Sequence, residues 1–259
     1  MDYPVPGDRR AVYPSLAGRR VLVTGGGSGI GAGIVEGFVR QSADVTFFDI
    51  RDEESRNLAE RLSGNGTDPH FEHVDLRDTA ATRAAIAAGI EAGGAYDILV
   101  NNAANDDRHT LDDVTEDYWD DRFEVNLKHQ FFCAKSVIPA MREKGSGVIV
   151  NLGSISWHLG MPDLTLYQTC KAAVEGLTRA LAREVGPDGI RVSCVVPGNI
   201  RTPRQMQWYT PEGEAELVEA QCIKSRLLPE DVAAMVLFLS SDDGRLLTGH
   251  EYFVDAGWR

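Results

Sequence analysis

Val21-Leu22-Val23-Thr24-Gly25-Gly26-Gly27-Ser28-Gly29-Ile30-Gly31 is the stretch that decides the fold. Val21 to Val23 is a short β-branched apolar run that stops at a threonine and a cluster of glycines. A helical pattern follows, from about Ile30 to Gln41. Glycines at such a junction permit a tight turn and close approach of the backbone to a ligand. The helix N-terminus then offers unpaired N–H groups and the positive end of its dipole to an anion. A glycine-rich turn alone can be plain structure; its place between strand and helix is what points to a dinucleotide pyrophosphate. Gly25, Ser28, Gly29, Ile30 and Gly31 are the candidate contacts.

The same strand–helix alternation continues outward. Val45–Phe48, Phe71–Val74, Tyr96–Val100, Gly147–Leu152, Arg191–Val196 and Tyr252–Val254 read as strands. Helical patterns lie between them, near Glu53–Leu62, Thr79–Ala92, Tyr118–Arg142, Leu166–Val185 and Pro229–Ser240. Gly186 and Pro187 end the long helix. Residues 199–228 are polar and irregular, with helical pieces. Continuous apolar strands separated by helices predict a doubly wound parallel sheet of the Rossmann type in a single domain. We expect an N-terminal arm over residues 1–15 and one domain over 16–259. Ligands of such sheets sit at the carboxyl ends of the strands.

The bulk properties exclude more than they identify. The net charge of -13 argues against nucleic acid and against an anionic membrane surface. Cys133, Cys170, Cys194 and Cys222 lie far apart without CxxC spacing, so no disulfide framework or metal site is expected. The polar stretch Met1–Arg20 has no apolar core, and no later run is long enough to span a bilayer. The expected compartment is the cytoplasm.

Asp49 closes the second strand, 18 residues after Gly31. A carboxylate there can accept hydrogen bonds from ribose hydroxyls and would repel a 2′-phosphate, which favours NAD over NADP. Arg51 lies close enough to pair with a phosphate, so the preference is not absolute. Asp75, ending the third strand, can meet an adenine amino group or simply sit at a helix N-cap.

Tyr167 and Lys171 are four apart on one helix and share a face. A free phenol titrates at about 10, too high for a base near neutral pH. A neighbouring ammonium is expected to lower it. Ser154, just past the strand ending at Leu152, can reach the same cleft and orient a substrate oxygen. Asn126 is a polar residue in apolar surroundings, and chemistry alone leaves it open whether it is structural.

Thr24-Gly-x-x-x-Gly-x-Gly31, Asn101-Asn-Ala-Ala104, Asn126, Ser154, Tyr167-x-x-x-Lys171 and Pro197-Gly198 together resemble the short-chain dehydrogenase/reductase family, over nearly the whole chain. Ala104 departs from the glycine usual there. The resemblance implies that Tyr167 is the general base of alcohol oxidation, that Lys171 lowers its pKa and holds the nicotinamide ribose, and that Ser154 orients the substrate. It implies a water-linked proton relay supported by Asn126. It adds Leu76, Asn102, Pro197, Gly198, Ile200 and Thr202 to the cofactor contacts, with Ile200 at the carboxamide. It implies a homotetramer or homodimer formed on the helices of Tyr118–Arg142 and Leu166–Val185.

Asn105–His109, Trp157-His158 and Asn199–Tyr209 should line the substrate pocket. Asn105, Trp157, Asn199 and Trp208 are the candidate substrate contacts beside Ser154 and Tyr167. Such a mix of polar groups and flat rings suits a polyhydroxylated ligand better than a steroid. Asn105–His109, Gly153–Gly160, Trp208–Ala215 and the C-terminal Asp255–Arg259 also resemble a narrower group in the family, bacterial NAD-dependent D-xylose 1-dehydrogenases. That implies oxidation of the anomeric hydroxyl to a lactone. A reductase of acyl thioesters, another sugar dehydrogenase, or a non-catalytic NAD-binding regulator are the competing readings. Asp49 and the acidic charge count against the thioester; Ser154, Tyr167 and Lys171 count against the regulator.

Overall fold

The computed structural model describes residues 11–64 and 67–258. Seven strands form one sheet: β1 (Arg20–Thr24), β2 (Asp44–Asp49), β3 (His70–His73), β4 (Ile98–Asn101), β5 (Gly147–Leu152), β6 (Ile190–Pro197) and β7 (Glu251–Val254). Their order is β3-β2-β1-β4-β5-β6-β7, and every pairing is parallel. The expected doubly wound sheet is therefore the observed one. Side chains alternate across it. Val21 and Val23 enter one apolar layer, with Ile34, Phe38 and Val236. Leu22 enters the other, with Ile86, Val137, Met141 and Leu181.

Helices α1 (Gly29–Arg40), α2 (Asp52–Leu62), α3 (Thr79–Gly93), α4 (Glu116–Phe123) and α5 (His129–Lys144) follow the sequence pattern. So do α7 (Thr165–Val185) and α9 (Pro229–Ser240). The short helix α6 (Ile155–Leu159) was not anticipated, whereas α8 (Pro211–Ala220) is one of the helical pieces expected within residues 199–228. The helices expected from Tyr118 to Lys128 and on to Arg142 are α4 and α5, joined by a wide π-turn at Glu124–Lys128.

The chain leaves β1 toward β2 and β3, then crosses back to β4 on the other side. The carboxyl ends of β1 and β4 thus border a crevice where ligands of open sheets bind. The 199–228 excursion returns to its own start, since Ile200 bridges Leu227 and Arg201 N–H donates to the Leu227 carbonyl at 2.8 Å.

The expected arm falls largely outside the described residues. Its end is tied down: Tyr13 N–H donates to Gln41 Oε1 at 2.7 Å, and Gln41 Nε2 donates to the Ala11 carbonyl at 3.0 Å. Among the described residues no helix is long and apolar enough to cross a membrane.

Candidate active site

A cleft of about 430 Å³ opens over the carboxyl ends of the strands. Its floor is the glycine turn. Gly25 has φ +64, and a Cβ there would stand 2.8 Å from the Ala103 Cα. A Cβ on Gly31 would meet the Gly25 carbonyl at 1.9 Å. Only glycine fits either place, so the turn can lie flat under the crevice. Asn102 staples it from the end of β4, with Nδ2 donating to the carbonyls of Thr24 at 3.0 Å and Gly25 at 2.9 Å. Ser28 precedes α1 without a side-chain cap bond. The first-turn N–H groups at Ser28, Gly29, Ile30 and Gly31 are thus free of side-chain acceptors where those residues line the cleft.

Asp49 is buried, and each carboxylate oxygen accepts one backbone N–H, from Gly27 at 2.8 Å and from Arg51 at 2.9 Å. A carboxylate has about four acceptor sites, so two remain for ribose hydroxyls. The Arg51 guanidinium is ion-paired with Glu54. Asp75 and Leu76 line the cleft beyond it. Asp75 is clasped by Arg77, at 2.7 Å between Oδ2 and Nη2, and that contact holds its carboxyl below the usual range. Pro197, Gly198, Ile200 and Thr202 line the opposite side. These groups fit a dinucleotide: an anion seat at a helix start, a buried carboxylate with spare acceptors, and a trough between strand ends.

Beyond the glycine turn lie Ser154, Tyr167 and Lys171, all on the cleft wall. Ser154 ends the β5 loop and caps α6, accepting from Ser156 N–H at 3.2 Å. The Ser154 hydroxyl lies close enough to Tyr167 to pull its pKa down. Lys171 is fully buried, donates to the Leu152 carbonyl at 2.8 Å, and lies 5.5 Å from the centre of the Tyr167 ring. Burial pulls its ammonium down to about 8. Burial also pushes the Tyr167 phenol well above its ordinary value, the Asp106 charge adds to this, and Ser154 and Arg204 pull it back. The expected lowering of the Tyr167 phenol is not met in the protein alone, where desolvation of the hydroxyl dominates.

A buried amide chain sets the spacing of these elements. Asn101 Nδ2 donates to Asn151 Oδ1 at 2.9 Å, and Asn151 Nδ2 donates to Thr178 Oγ1 at 3.0 Å, linking β4 through β5 to α7. His109, buried, accepts from Leu166 N–H at 3.3 Å and so anchors the start of α7.

Asn126 sits in the π-turn. Its Nδ2 donates to the carbonyls of Asn105 and Arg122, each at 3.0 Å, and its Oδ1 accepts from Asn105 N–H at 2.8 Å. Both amide protons are committed, so its visible work is to hold the loop that carries Asn105. Ala104 needs no glycine, since its φ is not positive and its Cβ is accommodated.

The substrate wall differs from expectation in two aromatic residues. Trp157 turns away from the cleft: Nε1 donates to Glu175 Oε1 at 2.8 Å, and the ring lies on His158 with centroids 3.8 Å apart. The buried Glu175 carboxylate needs donors, and Trp157 and His158 supply them. Trp208 is 56% exposed and does not line the cleft. Tyr209, from the segment expected at the pocket, and Trp258, from the C-terminal Asp255–Arg259 segment, line it instead. Asn105 and Asn199 do line it. Asn199 is oriented by Arg226, whose Nη2 donates to its Oδ1 at 3.1 Å.

Residues 25–259 match the family model described as Enoyl-(Acyl carrier protein) reductase. The chain belongs to the short-chain dehydrogenase/reductase family. It is 60% identical over 249 residues to a D-xylose 1-dehydrogenase of Caulobacter vibrioides (strain NA1000 / CB15N), covering 96% of this chain and 99% of that one. It is 46% identical to a protein of Rhizobium meliloti (strain 1021) assigned as a galactose dehydrogenase, over 95% and 96% of the two chains. A crystal structure assigned as a short-chain alcohol dehydrogenase, from Sinorhizobium meliloti 1021, superposes with a TM-score of 0.89 at 32% identity, covering 95% and 98%. Members of the short-chain dehydrogenase/reductase family use nicotinamide cofactors, and the chain is an oxidoreductase of that family.

Proposed function

We propose that the protein oxidises the anomeric C1 hydroxyl of an aldopentose, D-xylose first among them, to the lactone with NAD. The observation that carries this is the composition of the cleft beside Tyr167. Asn105, Asn199, Arg204, Gln205 and Tyr209 line it with donors and acceptors, a set suited to a polyhydroxylated ligand. The 60% identity to a D-xylose 1-dehydrogenase supports the same reading.

In this reading Ser154 holds the C1 oxygen through its hydroxyl. Tyr167 takes the proton from that oxygen, and Lys171 keeps the phenolate from facing a neutral wall. NAD, held over the glycine turn, supplies the hydride acceptor. An anomeric hydroxyl is more acidic than an ordinary alcohol and asks less of the base. Asp49 supports NAD over NADP, since its buried carboxylate has acceptors to spare and Arg51 is already paired with Glu54. A homodimer or homotetramer on α4, α5 and α7 fits the exposed Trp119 and Phe131.

The test is reduced-nicotinamide absorbance with D-xylose, L-arabinose, D-glucose, L-fucose, a steroid alcohol and an acyl thioester. D-xylose with NAD should give the highest kcat/KM. A steroid or thioester ahead of every sugar would end the sugar reading.

A further inference from the structure

We infer that Asp106 is a specificity-determining residue, receiving a ring hydroxyl of the sugar on a carboxylate that Arg204 and Gln205 hold in place. This rests on the sugar reading above.

Asn105, Asp106 and Asp107 follow β4 in succession, yet they divide. Asp107 is half exposed and paired outside the cleft, where Arg122 Nη1 lies at 3.2 Å and Arg204 Nη2 at 2.5 Å. It does not line the cleft; Asn105 and Asp106 do. Each Asp106 oxygen receives one donor, Arg204 Nε on Oδ1 at 2.8 Å and Gln205 Nε2 on Oδ2 at 2.7 Å. A carboxylate has about four acceptor sites, so two remain open toward the cleft. The donors come from the opposite wall, 98 and 99 residues along the chain. Asp106 is thus oriented by two donors from across the cleft, one on each oxygen, as a recognition group must be.

Its position is unfavourable for the base alone. The Asp106 charge raises Tyr167, and a group that must ionise gains nothing from a neighbouring anion. Arg204 offsets part of this. A charge kept against the local electrostatics marks a place where another task is served. A hydroxylated substrate satisfies the open acceptors. A steroid ring or acyl chain would cover them without a partner, which a polar site rejects strongly.

The experiment compares wild type with Asp106→Ala on D-xylose and its 2-, 3- and 4-deoxy analogues, all with NAD. We expect kcat/KM for D-xylose to fall by roughly 10- to 100-fold. At one ring position the penalty for removing the hydroxyl should shrink by about tenfold or more, while the KM for NAD stays within about twofold of wild type. A merely structural role would lower all four sugars alike and move the KM for NAD. That result, or three unchanged deoxy penalties, would overturn the inference. If Asp106→Ala does not fold, Asp106→Asn, which keeps the shape and removes the charge, reads out the same penalties. Wild type failing on every aldose would sink the sugar reading itself, and the inference with it; that failure shows before any variant is made.

Discussion

The glycine wall and the loop wall of the cleft meet at Tyr167, but different forces hold them. The glycine wall is backbone against backbone: Gly25 and Gly31 allow contacts that no side chain could, and Asn102 and the buried Asp49 tie the turn through main-chain groups. The loop wall is a clasp of side chains. Arg204 reaches Asn105, Asp106 and Asp107, and Arg226 reaches Asn199. The first wall tolerates little change of residue and recognises what every member of the family binds. The second can change its substrate by exchanging side chains while its frame stays, which is how one fold hosts many chemistries.

The largest effect tests the seam itself. Tyr167→Phe keeps the ring and removes the hydroxyl whose pKa Ser154 lowers. Turnover should fall by about two to four orders of magnitude, with NAD binding retained by both walls. Stopped-flow turnover and cofactor titration check it; activity within a few-fold of wild type would remove Tyr167 as the base.

Next in size is the charge on the glycine wall. Asp49→Asn removes the carboxylate's charge but keeps an acceptor for Gly27 or Arg51. The ratio of kcat/KM for NAD over NADP should fall by roughly tenfold or more, about 1.4 kcal/mol. Asp49→Ala should narrow the ratio as well and also weaken NAD binding, since two backbone donors lose their acceptor. Wild type using NADP as well as NAD would show that Asp49 does not meet the ribose. Sugar specificity should not move in either variant, which sets the two walls apart.

How much of each wall could be read from the chain follows from the same difference. Thr24–Gly31 and Tyr167-x-x-x-Lys171 place their chemistry within one turn or one helix face, so spacing carries it. The sheet was legible because its central strands carry apolar runs such as Val21–Val23 and Ile98–Val100, although β3 is His-Phe-Glu-His. The clasp of Arg204 on Asp106 was not, because its partners are 98 residues apart and meet only once the sheet brings both loops to one end. Trp157 was misplaced for a related reason. A tryptophan beside Ser154 is a fair sugar platform by composition, but a buried carboxylate 18 residues away decides where its N–H points. The π-turn at Asn126 and the short α6 left no pattern long enough for periodicity to resolve.

A third prediction probes that buried carboxylate. Glu175 ties α6, which starts at Ser154, to α7, which carries Tyr167 and Lys171. Glu175→Leu leaves the Trp157 and His158 donors without an acceptor and loosens the two helices. A misplacement of about 1 Å near the reacting atoms can cost up to about 100-fold in rate, so a drop in kcat of about tenfold is expected, with the KM for NAD unchanged. Glu175→Gln keeps the acceptor for Trp157 and should recover most of the loss. Equal loss in both variants would mean the charge, not the tether, matters.

The smallest effect at neutral pH lies beneath the glycine wall. His129 is buried, and its Nε2 lies 3.0 Å from the carbonyl of Ala103, the residue against which Gly25 rests. A carbonyl only accepts, so this nitrogen carries a proton. Burial, with the Lys171 charge second, pulls its pKa from 6.5 to about 3. The folded value is depressed, so between the two values the unfolded chain binds a proton that the folded chain refuses. The stabilising contribution is complete above about 6.5 and is lost as pH falls toward 3, at up to about 1.4 kcal/mol per pH unit. His129→Gln keeps a donor for Ala103 and cannot titrate. Its denaturant midpoint should fall less than that of wild type between pH 7 and pH 4, whatever offset the substitution brings, because only wild type loses the histidine contribution on acidification. If the difference between the two proteins is the same at both pH values, His129 is charged in the folded state or reached by solvent, and the glycine wall is less tightly closed than its contacts imply.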